Sequence, residues 1–176
     1  MMKEPSMRVS LFGKHPSSSE YLYLGESSSF TNSIISWIKA GYEALLKNRQ
    51  KYLLDIVQHF YFLNKETDSF VCATLKLSKD SKGREYPLII LVEVAVSKEM
   101  RDFQAMWSKN LEIFQNIYSL EELENLLKKY TIDSSHEKNF KNIDRDILAA
   151  FVSEDFLKSK LFYKPLQIDD FIEMMR

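Results

Sequence analysis

The segment from Tyr86 to Val96 constrains the fold more than any other part of the chain. It reads Tyr-Pro-Leu-Ile-Ile-Leu-Val-Glu-Val-Ala-Val. A half-buried strand alternates apolar and polar residues, so a near-continuous apolar run of this length needs cover on both faces. The segment therefore predicts a central strand with helices on either side of its sheet. Pro87 lacks an N–H and belongs at the beginning of that strand or at a bulge. With 176 residues the chain is long enough for one full domain, burying roughly 70% of its unfolded surface, and short for two. One domain over residues 1–176 is expected.

The other elements are read from periodicity. Met7, Val9 and Leu11 alternate with Arg8 and Ser10, which predicts a strand over Met7 to Lys14, leaving at Gly13 and Pro16. The next stretch, His15 to Ser29, reads as an ordered loop, since Tyr21, Leu22, Tyr23 and Leu24 are too apolar to float in water. Ser28 or Ser29 can cap a helix in which Phe30, Ile34, Trp37, Gly41 and Leu45 share a face. Gly41 on that face costs about 1 kcal/mol against Ala, and close approach of another element would compensate for it. A short helix is expected over Gln50 to Gln58, then strands over Phe60 to Leu63 and Ser69 to Leu77. From Ser97 onward the pattern is helical, with Met100, Phe103, Trp107, Leu111, Phe114 and Tyr118 in one stripe and a capping box at Ser119 and Glu122. Thr131 to Asn142 reads as a loop. Three shorter helices are expected over Asp144 to Phe151, Glu154 to Lys160 and Ile168 to Met175. The C-terminal part, residues 97–176, is thus read as helical.

The residue inventory excludes several kinds of chemistry. Basic and acidic side chains number 24 and 25, a balance unlike that of domains that neutralise nucleic-acid phosphates. The four glycines, at 13, 25, 41 and 83, are too far apart for a dinucleotide fingerprint or a phosphate loop. Cys72 is alone, and His15, His59 and His136 fall in different elements, so no metal site is expected. Cys72 lies in a buried strand, where a thiol is an inert small hydrophobe. No Gly-x-Ser-x-Gly elbow is present, and adjacent acids such as Glu121–Glu122 diverge around a helix. No catalytic residue and no cofactor is nominated. The opening Met-Met-Lys-Glu-Pro-Ser lacks the apolar stretch of a secretory signal, and no run approaches the ~20 apolar residues that span a bilayer. A cytoplasmic protein without membrane insertion is expected.

The segment Phe70 to Leu88 is more specific. It reads as a strand, a turn closed by Gly83 at positive φ, and a return strand opening with Tyr86-Pro87-Leu88. Arg84 follows the turn, and Ser78 and Asp80 precede it, so an ion pair across the hairpin mouth is feasible. The basic residues Lys76, Lys79, Lys82 and Arg84 are diluted by Asp80 and Glu85 and read as a solvated hairpin end.

Taken in order, Leu11-Phe12-Gly13-Lys14-His15-Pro16, then Trp37 in a helix, then Ser78-x-Asp80-x-x-Gly83-Arg84-x-Tyr86-Pro87-Leu88 resemble the TagF/ImpM family of type VI secretion-associated proteins. The resemblance covers about residues 7–96. Where the family has Arg-Gly-Asp-Phe, this chain has Ser18-Ser19-Glu20-Tyr21, keeping the acid and the ring. Phe70 replaces a usual tryptophan. The resemblance implies an α/β fold whose central sheet contains antiparallel strands flanked by helices. It also implies an accessory protein, without turnover of its own, that represses type VI secretion after translation by binding protein partners, including a forkhead-associated-domain scaffold. On the matched motif, Lys14, Glu20, Tyr21, Asp80 and Arg84 become the partner-binding candidates, and Gly13, Pro16, Trp37, Ser78, Gly83, Tyr86 and Pro87 the structural ones. Two other readings stand beside it: a structural or assembly subunit of the secretion machine, and an enzyme, since some members are fused to phosphatase domains.

Overall fold

The computed structural model describes residues 7–48, 57–64, 69–95, 100–101, 103–115, 118–133, 139–140, 149–153, 159–162 and 167–175. Among these, the chain order is β1 (Met7–Gly13), β2 (Leu22–Gly25), α1 (Ser29–Asn48), β3 (Gln58–Asn64), β4 (Ser69–Lys79), β5 (Glu85–Ala95) and β6 (Met100–Arg101). Then follow α2 (Phe103–Gln115), α3 (Leu120–Asp133), β7 (Asn139–Phe140), β8 (Ala149–Ser153), β9 (Ser159–Phe162) and α4 (Ile168–Met174).

Seven strands form one antiparallel sheet in the order β2-β1-β5-β4-β3-β8-β9. The apolar run of β5 lies between β1 and β4, and its side chains divide between two cores. Ile89 and Leu91 face α1 and α4, together with Phe12, Ile38, Phe60, Leu75 and Phe171. Leu88, Ile90, Val92 and Val94 face α2 and α3, together with Leu11, Cys72, Trp107, Leu127 and Tyr130. The layer order is helices, sheet, helices, as the apolar run requires. Antiparallel sheets commonly leave one face to water; this one does not, and continuous apolar sequence is the consequence.

Glu93, the charge that interrupts the run, has a docking role. Its carboxylate accepts from Ser28 Oγ at 2.6 Å and meets Arg8 at 3.2 Å. Ser28 in turn caps α1, accepting the Thr31 amide at 3.2 Å while Thr31 Oγ1 accepts the Ser28 amide at 2.8 Å. A negative charge at a helix N-terminus is favourable, so Glu93 fixes where α1 lands on the sheet. At the other end of the contact, Gly41 lets Phe171 of α4 approach the bare helix backbone. Trp37 seals that junction, donating its indole N–H to the Gln167 carbonyl at 2.8 Å.

Several expectations need correction. The span 15–29 is not all loop: Leu22–Gly25 is the edge strand β2, paired with β1. Residues 50–56 of the expected helix lie outside the described residues, and Gln58 already belongs to β3. The long helix begins at Phe103, while Met100–Arg101 pairs with Asn139–Phe140, and Tyr118 falls after its end. α3 continues to Asp133, into the span read as a loop. Ala149–Ser153 and Ser159–Phe162 form strands where helices were expected, the remainder of those two spans lying outside the described residues. Without β8, β3 would present an open row of backbone donors and acceptors, and tertiary pairing overrides weak helical periodicity in a segment containing Phe151 and Val152. The C-terminal half nevertheless holds three of the four described helices, and α4 falls where the sequence places it.

Candidate partner-binding site

β1 ends at Gly13, which adopts φ +130°, and there the Pro87 carbonyl oxygen occupies the space a Cβ would take. Only glycine fits. Pro87 itself stands opposite Leu77 of β4, whereas pairing with β1 starts at Leu88, so the missing N–H falls where β5 has lost its β1 neighbour. The two motif segments, 11–16 and 78–88, are thereby pressed together at one end of the sheet.

Asp80 is the centre of this end. Its side chain is wholly buried. Oδ1 accepts the backbone N–H groups of Lys82 and Arg84, both at 2.9 Å. Oδ2 accepts Arg84 Nε at 2.8 Å and faces Lys14 Nζ at 3.3 Å. Burial alone would raise the carboxyl, but the Arg84 amide and guanidinium, the Lys14 ammonium and the Lys82 amide outweigh it and hold Asp80 well below the usual carboxylate range. The turn is closed by the Gly83 amide on the Asp80 carbonyl at 2.9 Å, with Gly83 at φ +78° in open space.

The hairpin also grips the loop after β1. The Ser81 amide donates to the Ser18 carbonyl at 2.8 Å, and the Arg84 guanidinium donates to the Ser19 carbonyl. These two bonds immobilise residues 18–19 and present the next two side chains outward. Glu20 and Tyr21 are exposed, and the Glu20 carboxylate makes no ion pair among the described residues. Tyr21 is 54% exposed yet fixed: its ring stands edge-on to Tyr86 at 5.0 Å, stacks on Phe12 at 6.3 Å and receives Lys14 Nζ at 5.2 Å. Tyr86 is held in turn by Tyr42 at 5.1 Å, and burial, with Tyr21, Glu43 and Tyr42 beside it, pushes its phenol up to about 12. Tyr23, two residues along β2 and 49% exposed, packs edge-on to Phe12 at 5.8 Å and donates its hydroxyl to Asn32.

The structure therefore divides the sequence candidates. Lys14 and Asp80 are buried and satisfy each other, and Arg84 is bound to Asp80 and the Ser19 carbonyl rather than to Glu20. Glu20 and Tyr21 face solvent. Among the structural residues, Gly13, Gly83, Tyr86 and Pro87 act as described, and Trp37 serves the α1–α4 junction instead, against Phe62, Phe171 and Gln167. Pro16 is exposed, and Ser78 is half-buried in β4 opposite Tyr86. Sequence reasoning missed the carbonyls of Ser18 and Ser19, which carry no side-chain signal, and it missed Tyr23, Tyr42 and Phe12 as supports of the aromatic platform.

The TagF N-terminal domain model, described as type VI secretion system-associated, matches residues 10–139. The chain belongs to the TagF N-terminal domain family. Both halves of the Asp80 knot and the aromatic platform lie within the matched residues. The comparison with curated protein sequences gives no match. Among solved structures, the fold is similar to that of PA0076 from Pseudomonas aeruginosa PAO1, with a TM-score of 0.59 over 95% of this chain and 93% of that one at 12% identity. A likeness at that identity concerns the fold. Among the described residues no helix is long and apolar enough to cross a membrane.

Proposed function

We propose that this TagF-family chain is a non-enzymatic regulator that restrains type VI secretion after translation by binding a protein of the apparatus in the cytoplasm, a forkhead-associated-domain scaffold being the partner the family implies. The observation that carries the binding reading is the rigid display of Glu20 and Tyr21. Ordering a loop on binding costs about 1–2 kcal/mol per residue in backbone entropy, and here the Asp80 knot has already ordered it. A half-exposed tyrosine locked between Phe12 and Tyr86 offers a large contact surface with little rotamer entropy left to lose, the profile of an interface anchor. Lys14, Asp80 and Arg84 act behind this surface, holding it in place.

Secretion of the tube protein in the native cell tests the regulatory half. Deleting the gene should raise secretion and overproducing the chain should lower it. Unchanged secretion in both strains would refute regulation, and loss of secretion on deletion would point to a structural subunit instead.

A further inference from the structure

The opposite face of the same sheet end carries a small hollow of about 160 Å³. Leu75 and Leu77 of β4 pack against α1, and the alternate residues Lys76 and Ser78 line the hollow together with His15 and Leu77, beside apolar Leu88, Ile113 and Phe114. His15 is only 4% exposed, and its Nδ1 accepts the Ser17 amide at 3.1 Å with Ser17 Oγ at 2.7 Å. The neutral ring therefore carries its proton on Nε2 and can donate from there. Among the described residues, the side chains of Lys76 and Ser78 make no hydrogen bond or ion pair, and no carboxylate lines the hollow.

We propose that this hollow binds one compact oxyanion of the phosphate class, either free phosphate or the monoester carried on a serine or threonine side chain. The donors are an ammonium, a hydroxyl and an imidazole N–H, each capable of addressing a separate oxygen, which suits a tetrahedral group with three free oxygens. A planar carboxylate is better matched by the two-pronged fork of arginine, whereas lysine serves phosphate as a point charge. The volume is below the roughly 300 Å³ at which pockets for drug-sized ligands begin, so the group enters alone and whatever carries it stays outside. The apolar lining lowers the local dielectric and strengthens each charged contact.

The test is ¹H–¹⁵N NMR of the full chain, titrated with inorganic phosphate and, separately, with O-phosphoserine at matched ionic strength. Saturable shifts centred on His15, Lys76 and Ser78 are expected, with the His15 imidazole titrating at higher pH in the complex because the anion favours its protonated form. Lys76→Gln and Ser78→Ala should each weaken binding about tenfold or more while leaving the melting temperature unchanged. Tighter binding of O-phosphoserine assigns the site to a phosphorylated side chain, and equal binding assigns it to free phosphate. Shifts that fail to saturate, that spread over the other exposed lysines, or that persist unchanged in Lys76→Gln would overturn the proposal.

Discussion

Gly41→Ala sets two effects of similar size against each other. In a helix interior glycine costs about 1 kcal/mol relative to alanine, so at an open position the substitution would stabilise α1. At position 41 the new Cβ would stand 2.7 Å from Phe171 Cβ and closer still to its ring. The ring has nowhere to turn: Phe171 is fully buried, and Trp37 packs edge-on to it at 5.3 Å while hydrogen-bonded to Gln167. Relief requires α4 to shift away from α1, and overpacking of this kind costs roughly 1–3 kcal/mol. After the propensity gain, a net loss of up to about 2 kcal/mol remains. Urea unfolding followed by tryptophan fluorescence reads this directly, because Trp37 reports from the junction itself. In a Phe171→Ala background the ring contacts are gone and only the 2.7 Å contact with Cβ remains, so Gly41→Ala should cost less there than in the parent. A Gly41→Ala variant more stable than the parent, or one equally destabilising in both backgrounds, would refute the close-approach reading.

Three further outcomes follow from the same geometry. Gly83→Ala should cost about 1–2 kcal/mol for its left-handed φ alone, and Gly13→Ala should cost clearly more because the Pro87 carbonyl blocks its Cβ; urea midpoints rank the two, and equal costs would contradict the packing account. Asp80→Asn should lower the melting temperature at neutral pH by leaving Lys14 buried without its counter-ion. Because the folded carboxyl titrates below its ordinary 3.8, the wild-type advantage should be complete above about pH 4 and close only as the pH falls further. His59, buried against Trp107 at 5.5 Å and Thr74 at 3.0 Å, is pushed down by burial to about 4. Between pH 6.5 and 4 the unfolded chain takes up a proton that folded His59 refuses, so stability should fall with pH across that window by at most about 1.4 kcal/mol per unit, and His59→Asn should flatten the slope measured by urea midpoints at pH 7 and 5.

What could be read from the sequence follows its physical signals. The β5 run announced two covered faces because burial on both sides leaves a mark at every position. Gly41 on the apolar face of α1 announced a close neighbour, and the Gly83 turn announced its hairpin. Asp80 and Arg84 flank one turn and so pair visibly in the sequence, whereas the path of the loop after β1 and the Ser18 and Ser19 carbonyls that Ser81 and Arg84 hold carry no side-chain signal. Strands β8 and β9 carry helical periodicity locally, while β8 forms on the open edge of β3 and β9 on β8, long-range pairings with no local signature. β2 was hidden for a similar reason: four residues with Tyr23 exposed show no period worth scoring. The exposed tyrosines were visible in the sequence only as apolar residues in a loop, and the rings that fix them come from β1, β5 and α1.

On the proposed function, this TagF-family chain meets its partner at the surface of Glu20 and Tyr21, braced by the Asp80 knot. Isothermal titration of the purified forkhead-associated-domain scaffold from the same cell with the wild-type chain, Tyr21→Ala and Glu20→Ala measures it most directly. Truncating an anchoring tyrosine should weaken binding by about 2 kcal/mol, roughly thirtyfold, with Glu20→Ala weakening it less and both variants melting at the wild-type temperature to within a few degrees. Binding by the folded Tyr21→Ala and Glu20→Ala variants at wild-type affinity, or no binding by the wild-type chain, would contradict the account.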